Sequence, residues 1–210
     1  MWKVVLLVFS AAVATSTTSS GTVAPFGTRI GVTMGPTDVY SCDNPVEDDP
    51  NFYPEGTDDS NGTYTGLKWQ CVELARRFLF INHGLLFASV DGAVDIFNLT
   101  SIAVAGSNTS IPFVAHPQGG PTPPVLGSLL IYDSVGKFSP WGHVAVVVNV
   151  ADNHIDIAEQ NVENTYWAPG APYSRRLSVT RTPTSFTVMK YFPEPEVVLG
   201  WMTAEIRPAC

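Results

Sequence analysis

Lys68-Trp69-Gln70-Cys71-Val72-Glu73-Leu74-Ala75-Arg76-Arg77 is the stretch on which the reading of this chain turns. It opens an apolar spacing of Val72, Ala75, Phe78 and Leu79, with Asn82 on the next turn, which predicts a helix over residues 71–82 with one buried face. Arg76 and Arg77 fall off that face, and Gly84 suits the stop. Cys71 is therefore expected in the first turn, beside unpaired backbone N–H groups and the positive end of the helix dipole, both of which favour a thiolate. The competing reading of such a cysteine is a small, inert core residue.

Downstream, the pattern changes period. Ser128–Tyr132, His143–Val150, His154–Glu159, Phe186–Tyr191 and Val197–Ile206 read as strands, the clearest being the alternation of Val144, Val146, Val148 and Val150. Ala151-Asp152-Asn153 supplies a tight turn. A turn centred on Ala151 pairs Ala145 with Ile157, Val147 with Ile155 and His143 with Glu159, placing the last two on one face. A carboxylate there fixes the imidazole tautomer and steadies its charge. The plainer reading is a surface histidine beside a solvated acid. A nucleophile, an imidazole and a carboxylate in that order are the parts of a thiol hydrolase. Gln70 then offers a side-chain amide next to the Cys71 N–H for an oxyanion, or simply caps the helix.

A second, shorter helix is expected near Val90–Phe97, and Pro117–Pro124 reads as a connector between a helical half and a strand half. Residues 22–66 are rich in turn-formers and read as an irregular lead-in that can wall a cleft. Helix first and strands later predicts an α+β domain. The chain of 210 residues is long enough for one domain with a sizeable core, taken as residues 21–210. Its net charge of -8 disfavours nucleic acid and anionic membrane as partners. His83, His116 and His154 show no metal-site spacing, nor do the cysteines, so no metal or cofactor is expected. The protein is expected to be a monomer.

Residues 1–20 read as a secretory signal peptide with a flexible start: Met1-Trp2-Lys3 is basic, Val4–Val13 apolar, and Ala12-Val13-Ala14 a small-residue cleavage site. The alternative is a buried first strand. The apolar run is too short to span a bilayer. Asn61-Gly62-Thr63, Asn98-Leu99-Thr100 and Asn108-Thr109-Ser110 are N-glycosylation patterns, although the apolar run before Asn98 suggests burial there. The expected location is secreted, or lumenal in the secretory and endolysosomal pathway. Three cysteines leave one over if Cys42 pairs with Cys210; otherwise all three are free thiols.

These motifs together resemble the CHAP domain, a papain-like group of cysteine- and histidine-dependent amidohydrolases and peptidases, and within it the glutathionylspermidine amidase domains. The resemblance is carried by Gly66 to Glu73, Ala75 to Leu79, Gly127 to Ile131, Gly142-His143-Val144-Ala145, Ile157 to Val162 and Leu199-Gly200-Trp201-Met202. It implies a papain-like fold with N-terminal helices packed on an antiparallel sheet. It further implies Cys71 as nucleophile, His143 as base, Glu159 as orienting carboxylate and Gln70 in the oxyanion hole, with Arg76 and Asn161 meeting substrate. An exported member of the group is expected to act on amide bonds in bacterial peptidoglycan peptides. A glutathionylspermidine amide is the second expectation, and a non-catalytic secreted binder on the same fold the third.

Overall fold

The computed structural model describes residues 21–33, 35–44, 49–53 and 62–204. The leader-like residues, Asn61 and Cys210, and with Cys210 its expected pairing to Cys42, lie outside them.

The strand β9 (His143–Val150) is buried on both sides over its first six residues, and two-sided burial requires a packed layer on each face. On one face Val144, Val146 and Val148 meet Leu129, Ile131 and Met202 of neighbouring strands, and Ala75, Phe78 and Leu79 of the helix α1 (Cys71–His83). On the other, Ala145 and Val147 meet Leu130, Ile155, Ile157 and Trp201, with Phe138, Phe186 and Phe192 closing the layer. The strands are β1 (Arg29–Val32), β2 (Asp38–Tyr40), β3 (Pro50–Tyr53), β4 (Thr63–Leu67), β5 (Leu85–Leu86), β6 (Ser101–Val104), β7 (Ser110–Pro117), β8 (Leu129–Tyr132), β9, β10 (His154–Ala158), β11 (Arg175–Thr182), β12 (Ser185–Val188) and β13 (Val198–Ala204). Nine of them form one antiparallel sheet in the order β12-β11-β10-β9-β8-β13-β7-β6-β5.

The α+β expectation is met by a large antiparallel sheet with few helices. Among the described residues there is one α-helix, not several. The segment expected as a second helix is a 3-10 turn at Ala93–Asn98. Its buried residues Ala93 and Ile96 are three apart, the spacing of a three-residue turn, and Asp95 accepts a hydrogen bond from the Gly92 N–H at 3.0 Å to close it. The helix α1 matches its predicted span, and Gly84 ends it in the left-handed conformation at φ 62°. Arg76 and Arg77, expected to point away, are both buried. The lead-in is less irregular than its composition suggests, since β1 pairs β2 and β3 pairs β4.

The β9–β10 hairpin departs from the expected register. Ile155 pairs with Val150 and Asp156 with Asn149, after which Ile157 pairs with Val147 and Ala158 with Val146. Val148 is thus an extra residue on β9, a bulge that bends the strand. It moves Val150 to the face opposite Val148, breaking the simple valine alternation. Continued from the turn without a bulge, the pairing would set Glu159 opposite Val146, on the helix face. With the bulge, Glu159 falls opposite Ala145, on the same face as His143.

Candidate active site

Gln70 is the N-cap of α1, in extended backbone, with no side-chain bond to the helix N–H groups. Those groups are left for the Cys71 sulfur. The turn before it is tight: Gly66 has φ 142°, and a Cβ there would sit 3.0 Å from Glu73 Cα. His143 begins β9 directly after Gly142, whose φ of +72° and approach to Tyr132 O, 2.7 Å from a notional Cβ, leave room for glycine alone. The imidazole stacks on Phe138 at 4.7 Å between ring centres, 12° from parallel. Its Nε2 meets Glu159 Oε2 at 3.0 Å, which leaves Nδ1 as the nitrogen for Cys71. The charge of each of Cys71 and His143 acts directly on the other's proton affinity.

The electrostatics agree with the geometry. Burial alone pushes the Cys71 thiol up, but the His143 charge and hydrogen bond, with the N–H groups of Val144 and Val72, bring it below its ordinary value. Burial opposes the His143 cation, yet Cys71 and Glu159 raise that imidazole to about 9. Burial also opposes the Glu159 anion. The Arg175 charge and the hydrogen bonds from His143 and Arg175 overcome it and hold the carboxyl well below the usual range. Both shifts favour the thiolate–imidazolium form of the pair. Cys42 makes the contrast: also free, it is pushed by burial up to about 11. Of the two described cysteines, only Cys71 is poised as a nucleophile.

Cys71, Gln70 and Arg76 line a cleft of about 380 Å³ whose walls include Tyr64, Leu67 and Trp141. The lead-in thus supplies a wall, as its reading allowed. The Gln70 side chain makes no capping bond to the helix: its Oε1 accepts a hydrogen bond from Asn161 Nδ2 at 2.6 Å. This turns the amide nitrogen of the same group free to donate. Asn161 holds a left-handed backbone at φ 61°, a conformation asparagine tolerates. Arg76 reaches the cleft but spends two nitrogens on backbone, Nη2 donating to Tyr64 O at 3.1 Å and Nη1 to Phe87 O. Its buried Nε has no partner among the described residues. Asn98 and Asn108 are both exposed, so the apolar run does not bury Asn98.

Sequence reasoning missed the supports of this site. Glu73, fully buried, accepts from Arg77 Nε at 2.6 Å, Asn51 Nδ2 at 2.7 Å, Gln160 Nε2 at 3.0 Å and Thr65 Oγ1 at 3.1 Å. Arg175 grips Glu159, donating from Nε to Oε1 at 2.5 Å and from Nη2 to Oε2 at 2.8 Å, and Ser174 Oγ donates to Oε1 at 3.1 Å. The Glu73–Arg77 spacing of four on a helix was a usable signal. Nothing local in the sequence ties Arg175 to Glu159.

Among known proteins, the CHAP domain family matches residues 62–161. The chain is 39% identical over 184 residues to the bifunctional glutathionylspermidine synthetase/amidase of Escherichia coli (strain K12), which covers 85% of this chain and 29% of that protein. It is 32% identical over 181 residues to the trypanothione synthetase of Crithidia fasciculata, covering 85% of this chain and 26% of that one. The chain therefore spans less than a third of the length of these relatives.

Proposed function

With residues 62–161 matching it, the chain belongs to the CHAP domain family, and on that premise we propose that it is a thiol amidohydrolase working through Cys71, His143 and Glu159. The observation that carries this reading is the linkage of Cys71 to His143 and of His143 to Glu159 beside an open cleft. The thiolate attacks the amide carbonyl carbon. The Gln70 amide and the Cys71 N–H receive the oxyanion. His143 gives its proton to the leaving amine as the C–N bond breaks, leaving a thioester. It then takes a proton from water, which displaces the thiolate. No described helix is long and apolar enough to cross a membrane, and we read the working form as a monomer.

For substrate, the similarity to a glutathionylspermidine synthetase/amidase over 85% of the chain favours an amide of that kind, a peptide acyl group joined to a polyamine. The net charge of -8 suits a cationic leaving group. A second reading has its own support: Val4–Val13 favours export, the exposed Asn98 and Asn108 fit glycosylation, and an exported amidohydrolase meets bacterial peptidoglycan peptides. Incubating the protein and its Cys71→Ala variant with each substrate, with products identified by mass spectrometry, separates them. Cysteine-dependent release of spermidine is expected. Release of muropeptides instead replaces the first substrate by the second, and no product from either supports a binder that has kept the fold.

A further inference from the structure

Glu159 turns one oxygen to His143 and both to Arg175. A two-bond fork of this kind fixes the plane of a carboxylate as well as its position. The third guanidinium nitrogen, Nη1, faces Glu196 Oε1 at 3.7 Å. The group lies over Phe192 at 4.5 Å and Tyr191 at 5.0 Å. Glu196 is pinned in turn, its Oε2 accepting the Tyr191 and Phe192 N–H groups at 2.8 Å each. Glu159, Arg175 and Glu196 are all buried, where charges act on one another with little screening. An unopposed carboxylate at this distance from an imidazole would bias the whole site. A guanidinium on both of its oxygens leaves it as a direction-giving acceptor with much of its charge offset.

We propose that Arg175 is a positioning residue of the hydrolase site, fixing the plane of Glu159 for His143 and offsetting its charge at the Cys71–His143 pair. This rests on the proposed roles of Cys71, His143 and Glu159. The ionisable groups facing the cluster are Cys71 from α1, Tyr132 from β8, Glu159 after β10, Tyr191 and Glu196 from the loop before β13, and Lys137, whose Nζ lies 4.1 Å from the Phe192 ring. The Glu159–Arg175 pair can be altered while the rest stay.

The signs follow from charge. Removing the cation alone leaves Glu159 opposing the thiolate, so the acid limb of Cys71 reactivity moves up in pH. Removing the acid alone leaves Arg175 favouring the thiolate, and the limb moves down. Removing both restores a neutral pair, so the two shifts cancel. A merely structural role gives no such opposition.

The test is the rate of Cys71 alkylation by iodoacetamide against pH in the full chain, with the site identified by peptide mass spectrometry and folding checked by circular dichroism. R175M is expected to raise the midpoint by about one pH unit, about a tenfold loss of thiolate in the range below both midpoints. E159Q is expected to lower it, E159Q/R175M to lie close to the parent protein, and R175K to fall between R175M and the parent. An unshifted R175M, or single variants that shift the same way, overturns the proposal. If R175M does not fold, return of E159Q/R175M toward the parent midpoint supports it, and a double variant that stays with E159Q overturns it. Alkylation needs no substrate. An ordinary thiol in the parent protein would remove the hydrolase reading and this proposal together, whereas a reactive parent thiol without the cancelling cycle removes this proposal alone.

Discussion

Glu73 and Glu159 are both buried acids gripped by an arginine, yet only Glu159 touches the imidazole. Glu73 gathers donors from β3, β4, α1 and Gln160, and its partner Arg77 reaches on to Asp38 O at 2.7 Å. That pair joins the lead-in to the helix that carries the thiol. Glu159, one residue before Gln160 in the chain, faces the opposite way into the strand layer and addresses His143. The same chemical pair therefore joins the lead-in to the helix on one side of the site and meets the imidazole on the other. What separates the roles is the neighbour each acid meets, not its burial.

The sharpest way to break this comparison is at Cys71 and His143, the groups proposed to react. Cys71→Ala or His143→Ala is expected to reduce turnover by at least about 10³-fold with the fold retained. Unchanged turnover in Cys71→Ala, measured with whichever substrate proves active, ends the assignment. Next come the acids themselves. Glu159→Ala is expected to cost about 10²-fold or more in turnover. Glu73→Ala is expected to leave turnover per folded molecule within about threefold, while lowering unfolding free energy by about 3–5 kcal/mol, because Arg77 loses its counter-charge in the interior. Denaturant titration beside steady-state kinetics reads both. Equal kinetic losses in the two variants would erase the distinction. Smaller still is the effect of Asn161→Ala, which frees the Gln70 carboxamide it holds. A loss of roughly tenfold in kcat with little change in KM is expected if Gln70 serves the transition state.

Proton linkage sharpens the same contrast. His143 is raised to about 9, so its contribution to stability is full below its ordinary value and is lost as pH rises through about 9. Turnover should fall over that same range. Glu159 is depressed, so its contribution is present above the ordinary carboxylate range and is lost as pH falls below it. Thermal melts across pH are expected to show both edges, and the Glu159→Ala variant should flatten the acid one.

Much of the centre of the molecule can be read without coordinates. Cys71 at the helix start and the buried run from His143 are strong periodic signals, and both fall where expected. The failures have local causes. The strand β7 holds Pro112 and Pro117 and buries little beyond Phe113, so its sequence carries no clear strand alternation. In β11 the inward residues are Arg175, Leu177 and Val179; a charged residue at the first inward position hides the alternation. Arg76 and Arg77 look solvent-facing by residue type, yet they are buried because carbonyls and Glu73 receive their protons. The pairing register was missed because a bulge leaves no mark in composition.

That bulge works as a parity switch. One added residue at Val148 turns an odd offset between two strands into an even one, and the side of the sheet on which the acid appears depends on that count alone. Deleting Val148 should leave a hairpin that still closes while sending Glu159 away from His143, whereas changes of two residues in strand length would preserve the meeting. Lengths here are constrained in pairs, so insertions and deletions in this hairpin divide by arithmetic into those that keep the site assembled and those that take it apart.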